Sequence, residues 1–342
     1  MKRIGMLLAL ACVAAGPAWA QNSGSSSGSA TLDAVRGRGQ LLCGTSGEIT
    51  GFSLVDSKGV MQGLDADGCR AIAAAVLGDA ARVRFVPLTS QNRFTALQSG
   101  EVDVLIRNTG WSLTREASLG LLFAATNFWD STSLIVKTAG GVKHAVELGN
   151  AAICVRPGTS TELDLADWAR TNKISFTPVQ IGGVNEIQQA FLSGRCDAFT
   201  TDSSQLAGFR FAQGAKAEEL SILPEPIGTG PSGSMVRKGD DKWYDIVRWV
   251  HYAQVAAENL GVGQGNVDGF AATTNPDIKR LLGQDGDLGR ALGLDNHWAY
   301  NAVKQVGNYG DMWERSITPI GLPRGLNALW TKGGLQFAPP LR

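Results

Sequence analysis

A chain of 342 residues, 44% hydrophobic, with 31 basic and 31 acidic side chains, is long enough for two domains and carries no net charge. That balance excludes a general nucleic-acid or anionic-membrane surface as the partner, so charge has to be read locally.

The N-terminus reads as an export signal. Lys2 and Arg3 precede an apolar run from Ile4 to Ala15, and Ala18 and Ala20 supply the small residues of a signal-peptidase site. Cleavage after Ala20 and a periplasmic location are expected. The run is too short to span a bilayer comfortably. Cys12 offers a lipoprotein anchor as the alternative, although Ala9-Leu10-Ala11 lacks the usual upstream leucine. Residues 21–30 then read as a flexible tether with nothing to bury.

Leu41-Leu42-Cys43-Gly44 is a short strand-like run, followed by the polar loop Thr45 to Phe52, a candidate pocket wall. Asp65 or Asp67 is positioned to cap a helix to Leu77, and Arg82 to Val86 resumes extended chain. Ser90 is expected to cap the next helix. That helix belongs to a repeat: Ala96-Leu97-Gln98-Ser99-Gly100-Glu101-Val102-Asp103-Val104 returns as Ala190-Phe191-Leu192-Ser193-Gly194-Arg195-Cys196-Asp197-Ala198. Each copy reads helix, glycine turn, parallel strand. Two similar α/β lobes follow, each with right-handed crossovers.

Leu121-Leu122-Phe123 and Ser133 to Lys137 read as extended chain, with the crossing between lobes near Val136 to Gly140. In the second lobe, Ala151 to Val155 is a strand, and Thr159 or Ser160 caps a helix through Trp168. The return crossing falls around Thr229 to Val236. Trp243, Ile246, Val247, Val250 and Val255 then take helical spacing to Leu260, and helices and loops wrap the first lobe beyond it. The expected division is 31–138 for the first part of lobe 1, 139–233 for lobe 2, and 234–342 for the return and a helical extension.

Ligands in open α/β sheets sit beyond the carboxyl ends of strands. There the first repeat offers Arg107-Asn108-Thr109-Gly110-Trp111 and then Arg115, and the second offers Asp202. Gly158-Thr159-Ser160-Thr161-Glu162 presents N–H groups at a helix start, suited to a carboxylate, although an ordinary cap would look the same. Arg115 could likewise be a surface arginine and Asp202 a helix cap. Trp111 interrupts the polar loop and could stack on a ligand. The glycines at 261, 263 and 265 follow a helix rather than a strand, which removes the dinucleotide reading, and the three histidines show no metal spacing. No cofactor or metal is expected.

In an oxidising compartment, Cys43, Cys69, Cys154 and Cys196 favour disulfides. Four cysteines allow three pairings. The two-lobe reading selects Cys43 with Cys69 and Cys154 with Cys196.

Several stretches together resemble the periplasmic general L-amino-acid-binding proteins of ABC transporters. They are Cys43-Gly44, Gly51-Phe52-Ser53, Gly63 to Ala71, Arg93 to Asp103, Arg107-Asn108-Thr109, Thr159 to Glu162, Arg195 to Asp202, Gly239 to Trp243, Gly307 to Gly310 and Arg324 to Trp330. The resemblance covers nearly the whole mature chain. It implies a type II periplasmic-binding fold, two α/β lobes closing on an amino acid or a related small ligand, and an inner-membrane ABC permease as partner, with the protein itself a monomer. It also implies roles: Arg115 with Thr159 and Ser160 for the α-carboxylate and Asp202 for the α-ammonium. From their loops at the strand ends, Glu48, Phe52, Arg107, Asn108, Thr109 and Trp111 are expected to line the same pocket.

Departures from the family pattern fall in the pocket walls, at 46–52, at Gly110, at 128–133 and at 228–234. Two other functions fit the same fold. One is a dehydratase-like enzyme using Glu48 as general acid, and the other a receptor that hands its ligand-bound form to a membrane sensor.

Overall fold

The computed structural model describes residues 27–342. The signal peptide, the cleavage site after Ala20, the Cys12 anchor and most of the 21–30 tether lie outside the described residues.

Short βα units alternate in each half of the chain, so strands pair in parallel and helices pack on the sheet faces. In the first half Leu41–Thr45 lies between Val83–Pro87 and Val104–Leu105, parallel to both. In the second, Ala152–Val155 lies between Thr177–Gln180 and Ala198–Asp202, again parallel to both. Two antiparallel strands join the halves into one sheet: Leu121–Lys137 and Gly228–Arg237. Leu220–Ile222 also pairs along Leu121–Lys137.

Leu121–Lys137 is one strand of 17 residues, where the sequence suggested two extended runs. At about 3.3 Å per residue it spans both halves. Its residues from Leu121 to Thr132 pair with Gly228–Arg237, and those from Thr132 to Val136 pair with Ala198–Asp202. The change of partner thus falls at Thr132, before the 136–140 stretch. Gly228–Arg237 shifts register between Ser232 and Gly233 and again between Ser234 and Met235, the irregularity expected of a strand that bends.

The first half shares its core with the C-terminal part of the chain. Leu41, Leu64, Ile72 and Ile106 pack in one cluster with Ile246, Val250, Trp298 and Trp313. In the second half the sheet carries a core on each face, because successive strand residues point to opposite sides. Ile135, Phe191, Phe199 and Phe209 fill one face, and Leu134, Val136, Ile153 and Leu165 the other. Disulfides join Cys43 to Cys69 and Cys154 to Cys196, the expected pairs.

Two expected caps are absent. Helix Leu64–Leu77 starts after Gly63, at φ 120°, where a Cβ would run into the main chain of Phe52. Asp65 turns inward instead and accepts the Asn108 N–H at 3.1 Å, while Asp67 pairs with Arg70 at 3.0 Å and Arg315 at 2.6 Å. Helix Arg93–Ser99 follows Asn92, and Ser90 lies buried ahead of it, outside the cap position. At the glycine turns, Gly100 and Gly194 take φ of 82° and 84°, a conformation that costs glycine little.

Candidate ligand-binding site

The first half of the site begins where Val104–Leu105 ends. Arg107 is buried and its Nε donates to the Leu88 carbonyl at 2.6 Å. Asn108 follows in a left-handed conformation, φ 41°, with its N–H on Asp65, and the Thr109 hydroxyl donates to the Arg107 carbonyl at 3.2 Å. Ser112 then caps the short helix Leu113–Ser118 by accepting the Arg115 N–H. This cap turns the Arg115 side chain back: its Nη1 donates to the Gly110 carbonyl at 2.7 Å, and the guanidinium lies 5.2 Å from the centre of the Phe94 ring.

In the second half, Ala152–Val155 ends at Arg156, and helix Ser160–Asn172 opens with Thr159 as its cap. The Thr159 hydroxyl accepts the Glu162 N–H at 3.2 Å and donates to the Arg156 carbonyl at 2.7 Å. Ser160 stands in the first turn, at the positive end of the helix dipole. The parallel strand Ala198–Asp202 delivers Asp202, also buried.

The two halves meet at these residues. A Cβ placed on Gly110 would lie 2.8 Å from Ser160 Oγ and 3.2 Å from Arg115 Nη1, so the arginine and the helix start converge where glycine leaves room. Thr50 and Gly208 approach as closely, a Gly208 Cβ position being 2.8 Å from the Thr50 carbonyl. Glu48 bridges the halves by accepting the Asn185 amide at 3.0 Å.

Asp202 holds the N-cap position of helix Ser203–Ala212, yet its carboxylate makes no cap bond. It accepts the Gln205 amide instead. Burial pushes its carboxyl above the usual range, against the pull of Arg156, Arg93 and Arg115. Burial and neighbouring guanidinium groups work the other way on the arginines. Arg107 is pushed down to about 9, first by burial and then by Arg156, while Asp65, Asp202 and Glu48 oppose the shift. Burial lowers Arg115 while Asp202 raises it.

Not every expected pocket residue joins this cluster. Trp111 turns away: it stacks on Phe123 at 5.7 Å and donates its indole N–H to Glu116 at 2.7 Å. Its backbone N–H donates to the Pro231 carbonyl at 2.7 Å. Phe52 is fully buried and meets Phe128 edge-on at 5.0 Å.

Sequence reasoning missed Arg156 and gave no role to Arg93 or Asp130. Arg156 is the first residue past a strand's carboxyl end, so the rule that selected Arg107 would also have selected it. It was hidden by the adjacent Pro157-Gly158, which reads as a turn. Asp130 sits within the long strand, where no loop signal marks it. Chemically the cluster offers cations, carboxylates led by the uncapped Asp202, and helix-start N–H groups, an arrangement suited to a zwitterion. Among the described residues no group of three or more histidine, cysteine or carboxylate side chains is placed to hold a metal ion.

Residues 41–258 match the profile of the bacterial extracellular solute-binding proteins, family 3. The chain is 50% identical to the glutamate/glutamine/aspartate/asparagine-binding protein of Rhodobacter capsulatus, over 98% of this chain and 97% of the relative. It is 47% identical to the general L-amino acid-binding periplasmic protein of Rhizobium johnstonii, with 93% and 95% covered. A solved periplasmic binding protein from Brucella ovis, with glutathione bound, superposes with a TM-score of 0.88 at 47% identity, covering 91% of this chain and 99% of that one. The fold is the type II periplasmic-binding fold, and the chain belongs to the bacterial extracellular solute-binding proteins, family 3.

Proposed function

We propose that this protein is the periplasmic amino-acid-binding component of an ABC transporter. Arg115, Thr159 and Ser160 hold the ligand's α-carboxylate, and Asp202 holds its α-ammonium. The observation that carries this reading is the meeting of Arg115 and Ser160, from opposite halves, around Gly110, with the uncapped carboxylate of Asp202 in electrostatic reach of Arg115. A cation on one side of a cleft, with a helix start and a carboxylate on the other, fixes the orientation of a zwitterion.

Binding then draws the lobes together. The hinge lies in the two antiparallel strands, near 128–132 and 228–232, where Leu121–Lys137 changes partner. The closed form delivers the ligand to an inner-membrane permease. Relatives named for glutamate, glutamine, aspartate and asparagine, or for general L-amino acids, and a neighbour holding glutathione, share the α-amino-acid head group that this site fits. Glu48, tied to Asn185, serves in lobe contact rather than as an acid catalyst.

A thermal-shift screen of the twenty amino acids tests the reading. A ligand at 100 times its Kd adds about 2.7 kcal/mol of stability. A raised Tm with one or more L-amino acids is expected. No rise with any α-amino acid, alongside a rise with unrelated acids, would overturn it.

A further inference from the structure

The chain beyond residue 258 lies outside the matched family profile, yet it reaches the strands that cross between the lobes. Leu121–Lys137 has Gly228–Arg237 along one edge, and on the other edge Ala198–Asp202 pairs only from Thr132 to Val136. Among the described residues no strand covers that second edge at 126–129. Buried side chains of the C-terminal segment take the open backbone groups instead. Asn327 accepts the Trp129 N–H at 2.7 Å and donates to the Trp129 carbonyl at 2.9 Å, as a neighbouring strand would. The Tyr309 hydroxyl donates to the Asn127 carbonyl at 2.8 Å, and Gln336 donates to that of Thr126 at 3.4 Å. Asn327 is itself held: Arg324 donates to its carbonyl at 3.1 Å, pairs with Glu258 at 3.0 Å, and lies 5.1 Å from the ring centres of Tyr309 and Trp313.

The other crossing strand is tied at the same level. Its Pro231 carbonyl accepts the Trp111 N–H at 2.7 Å, and its Gly233 N–H donates to the Thr109 carbonyl at 3.1 Å. Pro231 and Trp129 are opposite each other in the register, so both strands are fastened to the first half up to that rung. The next residue, Asp130, gives its carboxylate to Ser204, and the Ser131 hydroxyl meets that of Ser203 at 2.8 Å, both in the second half. Strand pairing with the second half begins at Thr132. Two rungs, Asp130–Gly230 and Ser131–Thr229, lie between the fastened stretches, with strand pairing on one edge only. A strand bonded along both edges resists bending, and a hinge is the few residues left to absorb the φ/ψ change.

Resting on the two-lobe closure proposed above, we infer that the segment beyond residue 258 is a brace for the hinge, with Asn327 as its positioning residue. It locks the crossing strands to the first half up to Trp129–Pro231 and confines bending to the two rungs beyond. The lobes then open and close along one narrow path, and the site residues of the two halves return to the same register at each closure.

Pulsed electron spin resonance on the mature full-length protein tests this. Spin labels on p-acetylphenylalanine at exposed Lys58 and Lys216, one in each half, report the distance between lobes and spare the disulfides. Asn327→Ala is compared with wild type and with Val303→Ala, which opens a cavity in the same segment, in helix Trp298–Val306 where it packs on helix Leu64–Leu77. Without ligand, the distance distribution should widen about 1.5-fold in Asn327→Ala, because bending spreads into 126–129. It should keep its wild-type width in Val303→Ala, although Tm falls. With saturating L-glutamate the distance in Asn327→Ala should match that of wild type, while its Kd rises about threefold, since fewer molecules hold their lobes aligned for closure. A ligand-free width in Asn327→Ala equal to wild type, or an equal widening in Val303→Ala, would overturn the brace. If Asn327→Ala fails to fold, Asn327→Asp and Tyr309→Phe each remove one donor to the strand; widening in either supports the brace, and wild-type widths in both overturn it. If neither L-glutamate nor any other L-amino acid moves the lobes of wild type, the amino-acid reading is what fails, and the ligand-free widths still decide the brace.

Discussion

Asp130 accepts the Ser204 N–H at 3.3 Å and the Ser204 hydroxyl, and so caps, from the long crossing strand, the helix that Asp202 begins. A residue at the N-cap position ordinarily spends its side chain on the first turn's N–H groups. Here a second aspartate has taken that work. The division leaves Asp202 free for a ligand cation, and it ties the second half of the chain to the crossing strand beside the proposed hinge.

Asp202→Asn is therefore expected to weaken amino-acid binding at least tenfold. Truncating one partner of a buried, hydrogen-bonded charge pair costs about 2–5 kcal/mol. Asp197, five residues earlier, is exposed and accepts the Ala152 N–H at 2.7 Å, so Asp197→Asn should lower Tm modestly and leave affinity unchanged. Calorimetry on both variants checks this, with circular dichroism to confirm the fold. An Asp202→Asn variant that binds like wild type would mean that the ammonium is held elsewhere.

Closure requires that helix Ser203–Ala212 approach the 46–52 loop without a side chain between them. At Gly208 even a Cβ would press on the Thr50 carbonyl at 2.8 Å. Gly208→Val should hold the lobes apart and raise Kd by tenfold or more. Small-angle scattering with saturating ligand should show less compaction than in wild type. A variant that compacts normally and keeps its affinity would refute this contact as a limit on closure.

Each disulfide staples one half of the molecule. Cys43 and Cys69 are 26 residues apart, and Cys154 and Cys196 are 42 apart. In the chain-entropy model loops of this size stabilise by roughly 3–4 kcal/mol each. Cys154→Ala/Cys196→Ala should lower Tm by several degrees and loosen the second half first, as hydrogen exchange would show. Peptide mapping without reduction should find only the two pairings within halves, and a Cys43 to Cys154 link would contradict them.

Burial raises the Asp65 carboxyl to about 7, against the opposing pull of the Asn108 N–H and Arg107. An unfolded chain gives up that proton near its ordinary value of 3.8. Between these values the folded state binds more protons, so the contribution of Asp65 to stability falls as pH rises from about 4 to 7. Asp65→Asn keeps an acceptor for the Asn108 N–H and removes the titration. Its stability relative to wild type should therefore increase from pH 4.5 to pH 7.5 in denaturant titrations. A difference that stays constant with pH would show that Asp65 is ionised throughout.

By itself the sequence determined the two-lobe α/β organisation, the disulfide pairs and the positions of Arg115, Thr159 and Asp202. These depend on local signals: a repeated helix-turn-strand, glycine turns, an N-cap, and the rule that ligands lie past the carboxyl ends of parallel strands. The continuous strand Leu121–Lys137 was legible only in part, because the polar run Asp130 to Ser133 interrupts its apolar pattern near the change of partner. Tertiary structure alone decided which side chains face the cleft. Trp111 and Phe52 went to packing because Phe123 and Phe128 offered their rings apolar partners. Arg93 meets the second half through the Gly158 carbonyl at 3.3 Å, beside the helix start whose Ser160 approaches Arg115 around Gly110, a contact between segments distant in sequence. The capping of one aspartate's helix by another has no sequence signature, since Asp130 and Ser204 are 74 residues apart.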